Sequence, residues 1–75
     1  MNERKGTVTY TVRGMDRNRH GCYIVWEHLD GCAVNEYTAY DKGDEFVLYP
    51  RTKLMASSLS MKKKTIGIRE AKRAF

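Results

Sequence analysis

Residues 6–14 read GTVTYTVRG, and this stretch decides the fold class. Val8, Tyr10 and Val12 alternate with threonines, so apolar and polar side chains repeat with a period of two. Such alternation of β-branched and aromatic residues with polar ones is typical of a strand with one buried face. The sequence therefore predicts a β-strand here and a mainly β protein around it.

Three further strands follow, each bounded by residues that favour turns. Residues 29–31, LDG, and residues 41–44, DKGD, have the composition of tight turns. Pro50 lacks a backbone N–H and is predicted to end the last of these strands. The predicted strands cover residues 21–28, 32–40 and 45–49. Residues 6–50 are thus predicted to form a four-stranded antiparallel meander.

The loop length of the central hairpin decides which side chains share a face. A two-residue loop at 30–31 places Trp26 opposite Asn35, and a three-residue loop places it opposite Val34. We favour the second register because it separates apolar from polar residues better. The face predicted to be buried then holds Cys22, Ile24, Trp26, Cys32 and Val34. The face predicted to be polar holds Tyr23, Val25, Glu27, Asn35, Tyr37 and Ala39.

This register has consequences for one tryptophan and for both cysteines. A buried Trp26 predicts that the change Trp26→Ala costs about 3–5 kcal/mol of stability. Cys22 and Cys32 do not face each other across the hairpin. They are therefore predicted to be free thiols that are buried as small apolar side chains.

The last third of the chain, residues 51–75, is a basic segment with a different pattern. Apolar residues in a serine-rich frame over 54–61 predict a short helix, although serine is a poor helix former. Residues 65–69 predict a fifth strand, and a C-terminal helix that starts at Thr65 is the competing prediction. A chain of 75 residues without a linker or repeat is expected to form a single domain, 1–75.

Five strands in a chain of this length predict a small five-stranded antiparallel barrel or curled sheet. Residues 6–8 (GTV) and 42–48 (KGDEFVL) resemble the first and fourth strands of OB-fold RNA-binding domains of the translation initiation factor one type. Residues 64–69 (KTIGIR) resemble their closing strand. OB folds carry a helix between strands three and four, whereas here the helix falls between strands four and five, which is closer to an SH3-like barrel. Either resemblance implies binding along an exposed sheet face with aromatic and basic residues.

The net charge of +5 is unevenly distributed. Residues 1–20 hold five basic and two acidic side chains. Residues 21–50 hold one basic and six acidic side chains, and residues 51–75 hold eight basic side chains and one acidic side chain. The ends are basic and the middle is acidic, and basic segments of this density either neutralise phosphates or keep a protein in solution. Apolar runs are too short for a membrane span, and the first residues lack a secretion signal. A cytoplasmic location without a membrane partner is the expectation.

His20, Cys22, His28 and Cys32 carry atoms that zinc could bind. However, Cys22 and His28 lie six residues apart on one extended strand, roughly 20 Å, which is too far to share an ion. The two histidines sit at opposite ends of that strand, and no nucleophile elbow, phosphate loop or carboxylate pair occurs. We therefore expect no catalytic residue, metal, cofactor or small-molecule substrate. The enzymatic alternative is a toxin-like ribonuclease that acts through Arg, Lys and Tyr side chains.

The aromatic residues divide between core and surface. The residues expected in the core are Tyr10, Trp26, Phe46 and Tyr49. Tyr23 and Tyr37 fall on the predicted polar face beside arginines, where bases can stack on rings while cations contact phosphates. Alternatively, a C-terminal helix or a second copy of the chain in a homodimer buries these tyrosines.

These patterns predict a non-catalytic nucleic-acid-binding domain that prefers single-stranded RNA or DNA and could be regulatory. The alternative is a protein-binding regulator or inhibitor of a host protein, of the kind that phages and mobile elements encode, with the acidic stretch 21–50 as its contact. The predicted nucleic-acid-binding residues are Arg13, Arg17, Arg19, Tyr23, Tyr37, Arg51, Lys53, Lys62, Lys63, Lys64, Arg69, Lys72 and Arg73.

Overall fold

The computed structural model describes residues 6–74, which form one curled, six-stranded sheet. The prediction of a mainly β protein is confirmed. The strands are Val8–Met15 (β1), Cys22–Leu29 (β2), Cys32–Asp41 (β3), Glu45–Lys53 (β4), Lys64–Gly67 (β5) and Ala71–Arg73 (β6). The sheet has one more strand than the sequence predicts, because residues 71–73 form a short strand of their own.

The order of the strands explains why the sheet curls into a half-barrel. Strands β1 to β4 pair antiparallel in chain order, β5 joins β4 at one edge, and β6 joins β1 in parallel at the other edge. Only the 3₁₀ turn Ile68–Glu70 separates β5 from β6. Three residues of 3₁₀ helix span about 6 Å, so the two edges of the sheet must approach each other closely.

The short helix predicted in the C-terminal third is not confirmed. In the described part of the chain, the only helical residues are those of the 3₁₀ turn, and residues 54–63 form a loop. The backbone of this loop is bound elsewhere, since the N–H groups of Leu54 and Met55 donate to the carbonyl of Val34. The Ser57 hydroxyl accepts from the N–H of Leu59, a local bond that competes with helix formation.

Strand β4 continues past Pro50, where the sequence predicts an end, and reaches Lys53. The register between β3 and β4 shifts at this point, so that Arg51 has no direct partner residue on β3. Proline is tolerated at such bulges because the regular ladder is already interrupted there. The bulge therefore lets the strand carry Arg51 and Lys53 beyond the proline.

The central hairpin has the two-residue loop that was the less favoured prediction, but its register follows that prediction only next to the turn. Leu29 pairs with Cys32 across a two-residue turn, with Asp30 at φ 51° and Gly31 at φ 86°, as in a type I′ turn. A bulge at Val34 then shifts the pairing, and Trp26 lies opposite Glu36. The preferred pairing of Trp26 with Val34 is wrong because the loop has two residues and not three, and the bulge then moves Trp26 one position past Asn35, its partner in the two-residue alternative.

The bulge also accompanies an exchange of the two predicted faces. Val25, Tyr37 and Phe46 belong to the core and are almost fully buried, together with Glu27 and Asn35. Of these residues, Phe46 was predicted to be in the core, whereas the others alternate along β2 and β3 and were predicted to form the polar face. Trp26, whose neighbours in the strand are both buried, lies on the other side of the sheet and is half-buried. The prediction of a core tryptophan is therefore wrong.

The two cysteines are free, as predicted. Cys22 is buried, in agreement with the prediction, but Cys32 is exposed. Cys32 directly follows the hairpin turn and pairs with Leu29, so it lies at the end of the hairpin, away from the core. The prediction that both thiols are buried is wrong for Cys32.

The position of Trp26 changes the expected effect of its replacement. Trp26→Ala should cost about 1–2 kcal/mol, less than the about 3–5 kcal/mol that a core aromatic is worth, because its side chain is only half-buried. Phe46→Ala, which removes a ring with 1% exposure, is the matched control and should cost about 3–5 kcal/mol. Urea unfolding followed by circular dichroism compares the two. Equal losses would place Trp26 in the core.

Candidate nucleic-acid interface

The side of the sheet that faces away from the core carries aromatic and basic side chains, and we call it the outer face. Strand pairing places Thr11, Trp26 and Glu36 in one row across the sheet, with Lys72 of β6 beside Thr11. A second row contains Thr38 and Tyr49, and a third contains Tyr40. The outer face includes Arg13, Trp26, Glu36, Thr38, Tyr40, Tyr49, Arg51 and Lys72.

Each aromatic ring of the outer face has a basic side chain against it. The guanidinium carbon of Arg13 lies 4.3 Å from the centre of the Trp26 ring. Lys63, in the loop before β5, places its Nζ 5.2 Å from the centre of the Tyr49 ring. Arg19, in the loop between β1 and β2, donates from Nη1 to the Tyr40 hydroxyl at 3.3 Å.

Such pairs combine the two groups that a single-stranded nucleic acid needs, because rings stack on bases and cations contact phosphates.

The local structure explains why Arg13 lies over the tryptophan. Arg13 is the extra residue of a bulge in β1, between Val12 and Gly14. The bulge is followed by Gly14 at φ 154°, a backbone conformation that favours glycine. Bulges re-aim side chains, and this one directs Arg13 onto the indole ring.

An ion-pair network crosses the middle of the outer face. Arg51 Nη1 lies 3.0 Å from the buried carboxylate of Asp16, and Arg51 Nε lies 3.6 Å from Glu36. Glu36 also accepts a hydrogen bond of 3.0 Å from the Trp26 indole. Asp16 in turn accepts from the N–H of Asn18 at 2.9 Å. The network therefore ties the arginine-bearing loop after β1 to β4, and in it one guanidinium is shared by two carboxylates.

Two of the rings form a cluster, and the third stands apart. Tyr40 and Tyr49 make an edge-to-face contact with ring centres 5.4 Å apart, and both are exposed. Trp26 lies two strands and one row away from Tyr49, about 12 Å by ordinary strand geometry. The tryptophan and the tyrosine pair are therefore too far apart to contact the same base.

Most of the predicted binding residues divide clearly between the outer face and other surfaces. The predicted residues that lie on or against the outer face are Arg13, Arg19, Arg51, Lys63 and Lys72. Arg17, Lys53, Lys62 and Arg73 are exposed at other points of loops and strand ends. Arg69 is exposed in the 3₁₀ turn, beside Gly43 and Asp44.

The prediction that Tyr23 and Tyr37 lie on an exposed polar face is wrong, and neither these tyrosines nor Lys64 belong to the outer face. Tyr37 is fully buried, and Tyr23 is half-buried with its ring edge-on to Phe46 at 5.8 Å. Lys64 is directed to the buried carboxylate of Glu27. The alternation of residues along β2 and β3 placed these tyrosines on one face correctly, but that face is the core.

Trp26, Tyr40 and Tyr49, the aromatic residues of the candidate interface, are absent from the predicted binding residues. Trp26 and Tyr49 were assigned to the core, but Tyr49 is 39% exposed and Trp26 is half-buried. A signal for Tyr49 does exist in the sequence. Tyr49 follows the buried residues Phe46 and Leu48 with the spacing that puts it on the opposite side of the strand.

A buried carboxylate lies on the core side of the sheet. Glu27 is fully buried and accepts hydrogen bonds from the hydroxyls of Tyr10 and Tyr37 at 2.8 and 2.7 Å. The Asn35 side chain donates to it at 2.8 Å, and Lys64 Nζ at 2.6 Å. Burial alone raises the pKa of Glu27, but the hydrogen bonds from Asn35, Lys64, Tyr37 and Tyr10 outweigh it and hold the pKa below its usual value.

This carboxylate is not suited to catalysis. A carboxylate offers about four lone-pair sites, and the donors around Glu27 occupy them. No position is left to accept a proton from a substrate. The arrangement fits a structural role, in which one ionised side chain connects four strands.

The tyrosines of this network make stability dependent on high pH. Burial and the hydrogen bond to the Glu27 carboxylate raise the pKa of both Tyr10 and Tyr37 above the ordinary value of 10.0. Their contribution to stability is complete below about pH 10 and is lost as the pH rises above it, because the unfolded tyrosines ionise first. We expect the thermal midpoint to fall above about pH 10, together with a cooperative gain of tyrosinate absorbance. A midpoint that does not change up to about pH 12 would contradict the network.

The described residues 6–74 show no group of three or more His, Cys, Asp or Glu side chains that could hold a metal ion. Their helical content is a single short turn, and no helix there is long and apolar enough to cross a membrane.

Comparisons of the chain with protein-family models, curated proteins and solved structures found no match. The resemblance to OB-fold or SH3-like domains therefore stays a prediction.

Proposed function

We propose that this protein is a non-catalytic nucleic-acid-binding domain that holds single-stranded RNA or DNA across its outer face. The observation that carries the proposal is that each aromatic side chain of this face contacts a basic one. Arg13 lies over Trp26, Arg19 donates to the Tyr40 hydroxyl, and Lys63 lies over Tyr49. Stacking on aromatic rings is available only to unpaired bases, which favours single strands over duplex.

The charge of the outer face supports the same conclusion. Glu36 on this face and the buried Asp16 beside it share the guanidinium of Arg51, so neither carboxylate is left without a cation. The basic groups of Arg13 and Lys63 lie over rings at the surface, and Arg19 donates to the Tyr40 hydroxyl, so these exposed side chains can turn toward phosphates. A strand that crosses this face meets positive charge beside each ring.

The experiment is an anisotropy titration of a labelled single-stranded oligonucleotide at several salt concentrations. The double change Arg19→Gln with Lys63→Gln should lower the salt slope by about 1.4 units, because each phosphate contact with a single strand contributes about 0.7. The matched control, Lys42→Gln with Arg69→Gln, removes the same charge from exposed positions outside the outer face. The control should leave the slope unchanged.

Two results would overturn the proposal. One is that the wild-type protein does not bind the oligonucleotide even at low salt. The other is that the two double variants lower the slope equally, which would indicate that only the net charge matters.

A protein partner is the second candidate, and one observation favours it. Leu54 and Met55, directly after β4, are 39% and 51% exposed. Exposed apolar side chains of this size are common at protein interfaces. A complex formed through them would weaken little with salt, so the same salt series distinguishes it from phosphate binding.

A further inference from the structure

We infer that the depression lined by Arg19, Thr38, Tyr40, Tyr49 and Pro50 is the primary nucleotide site of the outer face, and that it takes one unpaired nucleotide of a single strand. This inference rests on the proposed function and makes it specific. It assigns the base to the tyrosine and proline surfaces and the phosphate to the arginine.

The walls of the depression differ in chemistry in a way that matches a nucleotide. Tyr49 offers an aromatic surface for a flat base, and Pro50, the next residue of β4, also lines the depression. Tyr40 stands edge-on to Tyr49, with ring centres 5.4 Å apart, and so closes one side. Thr38, in register with Tyr49, adds a hydroxyl at the base of the depression.

The positive charge lies at the rim of the depression. Arg19 is exposed and reaches it from the loop between β1 and β2, where its Nη1 contacts the Tyr40 hydroxyl at 3.3 Å. Lys63 lies over the Tyr49 ring from the other loop, with its Nζ 5.2 Å from the ring centre. An apolar ligand would gain nothing from these two cations, whereas a nucleotide brings an anionic group to meet them.

The loop that carries Arg19 is held in place independently of any ligand. The backbone N–H of Arg19 donates to the carbonyl of Asp16 at 3.3 Å, and the Asp16 carboxylate is paired with Arg51 at 3.0 Å. Arg51 Nη1 also donates to the Thr38 hydroxyl at 3.4 Å. One ion pair thus positions both the rim and the base of the depression, so the site is largely formed before binding.

The site also differs from the tryptophan on the same face. Trp26 lies about 12 Å from Tyr49, so it contacts a different base of a longer strand. The tyrosine site combines two rings, a proline and two cations, whereas Trp26 has one ring and Arg13. The tyrosine site is therefore expected to contribute more to affinity.

The test uses the full chain and a single-stranded oligonucleotide of about 12 nucleotides, a length within the usual site size of such domains. In an NMR titration, the largest amide shifts should fall on Arg19, Thr38, Tyr40 and Tyr49. Tyr49→Leu should weaken binding about 5- to 150-fold, which corresponds to one stacked base. Tyr49→Phe keeps the ring and should bind like the wild type, and Trp26→Leu should weaken binding less than Tyr49→Leu.

The outcomes separate this inference from the proposed function. If the oligonucleotide binds, but the shifts lie elsewhere and Tyr49→Leu binds normally, the site assignment is wrong and the proposed function stands. If inorganic phosphate displaces the oligonucleotide and reproduces the same shifts, the depression is an anion site and takes no base. If no oligonucleotide binds, both are wrong. The amide shift changes of the wild-type protein locate the site even if Tyr49→Leu does not fold.

Discussion

Replacement of Glu27 by alanine is expected to unfold the protein or to bring it close to unfolding. The change removes the common acceptor of Tyr10, Asn35, Tyr37 and Lys64, and it leaves buried donors without partners. Breaking such a buried charged network costs about 3–5 kcal/mol. A domain of this length has a total stability of about 4–11 kcal/mol, so the loss is a large fraction of it.

The measurement is urea unfolding at neutral pH, followed by circular dichroism. Glu36→Ala is the matched control, because this carboxylate is also hydrogen-bonded and ion-paired but lies half-buried on the outer face. It should cost no more than about 1 kcal/mol. Similar losses for the two variants would show that Glu27 is not the centre of the network.

Acid titration tests the same carboxylate without removing it. The pKa of Glu27 is lower in the folded protein than the ordinary value of 4.5. Its contribution to stability is therefore complete above about pH 4.5 and is lost as the pH falls through the folded pKa. Glu27→Gln keeps the shape of the side chain and should reduce this acid dependence. An acid limb equally steep in both proteins would contradict the assignment.

Replacement of Lys64 by alanine is expected to cost about 2–3 kcal/mol, whereas the same change at Lys62 or Lys63 should alter stability by less than about 0.5 kcal/mol. Lys64 Nζ lies 2.6 Å from the Glu27 carboxylate, and its removal leaves that buried charge without a cation. The cost is below that of a fully buried pair because a quarter of the Lys64 side chain is exposed.

The three consecutive lysines make this comparison unusually well matched. Each variant removes one positive charge from neighbouring positions, so differences between them report on location and not on net charge. The unfolding free energies of the three variants, measured in urea, check the prediction. Equal values for all three would mean that Lys64 is an ordinary surface lysine, as its place in a charge run indicates.

Local patterns in the sequence determined where the strands lie. The alternation over residues 6–14 predicts β1, and the turn residues Asp30 and Gly31 adopt the positive φ angles that their types favour. The strand after the charge run, β5, was predicted within one to two residues of its ends. These features depend on neighbours along the chain, and neighbours along the chain are what a sequence shows directly.

The tertiary structure alone decided which side of the sheet is the core. A charged residue such as Glu27 makes its face look polar in the sequence, yet Glu27 is buried. It can be buried because its hydrogen-bond donors come from three other strands. The most distant donor is Lys64, 37 positions along the chain. Once these donors satisfy the carboxylate, Tyr37 and Val25 can be buried beside it, and Trp26 and Tyr49 are turned outward. The strands follow from local periodicity, whereas the candidate binding face follows from long-range hydrogen bonds and from a bulge at Val34, neither of which any single stretch of sequence contains.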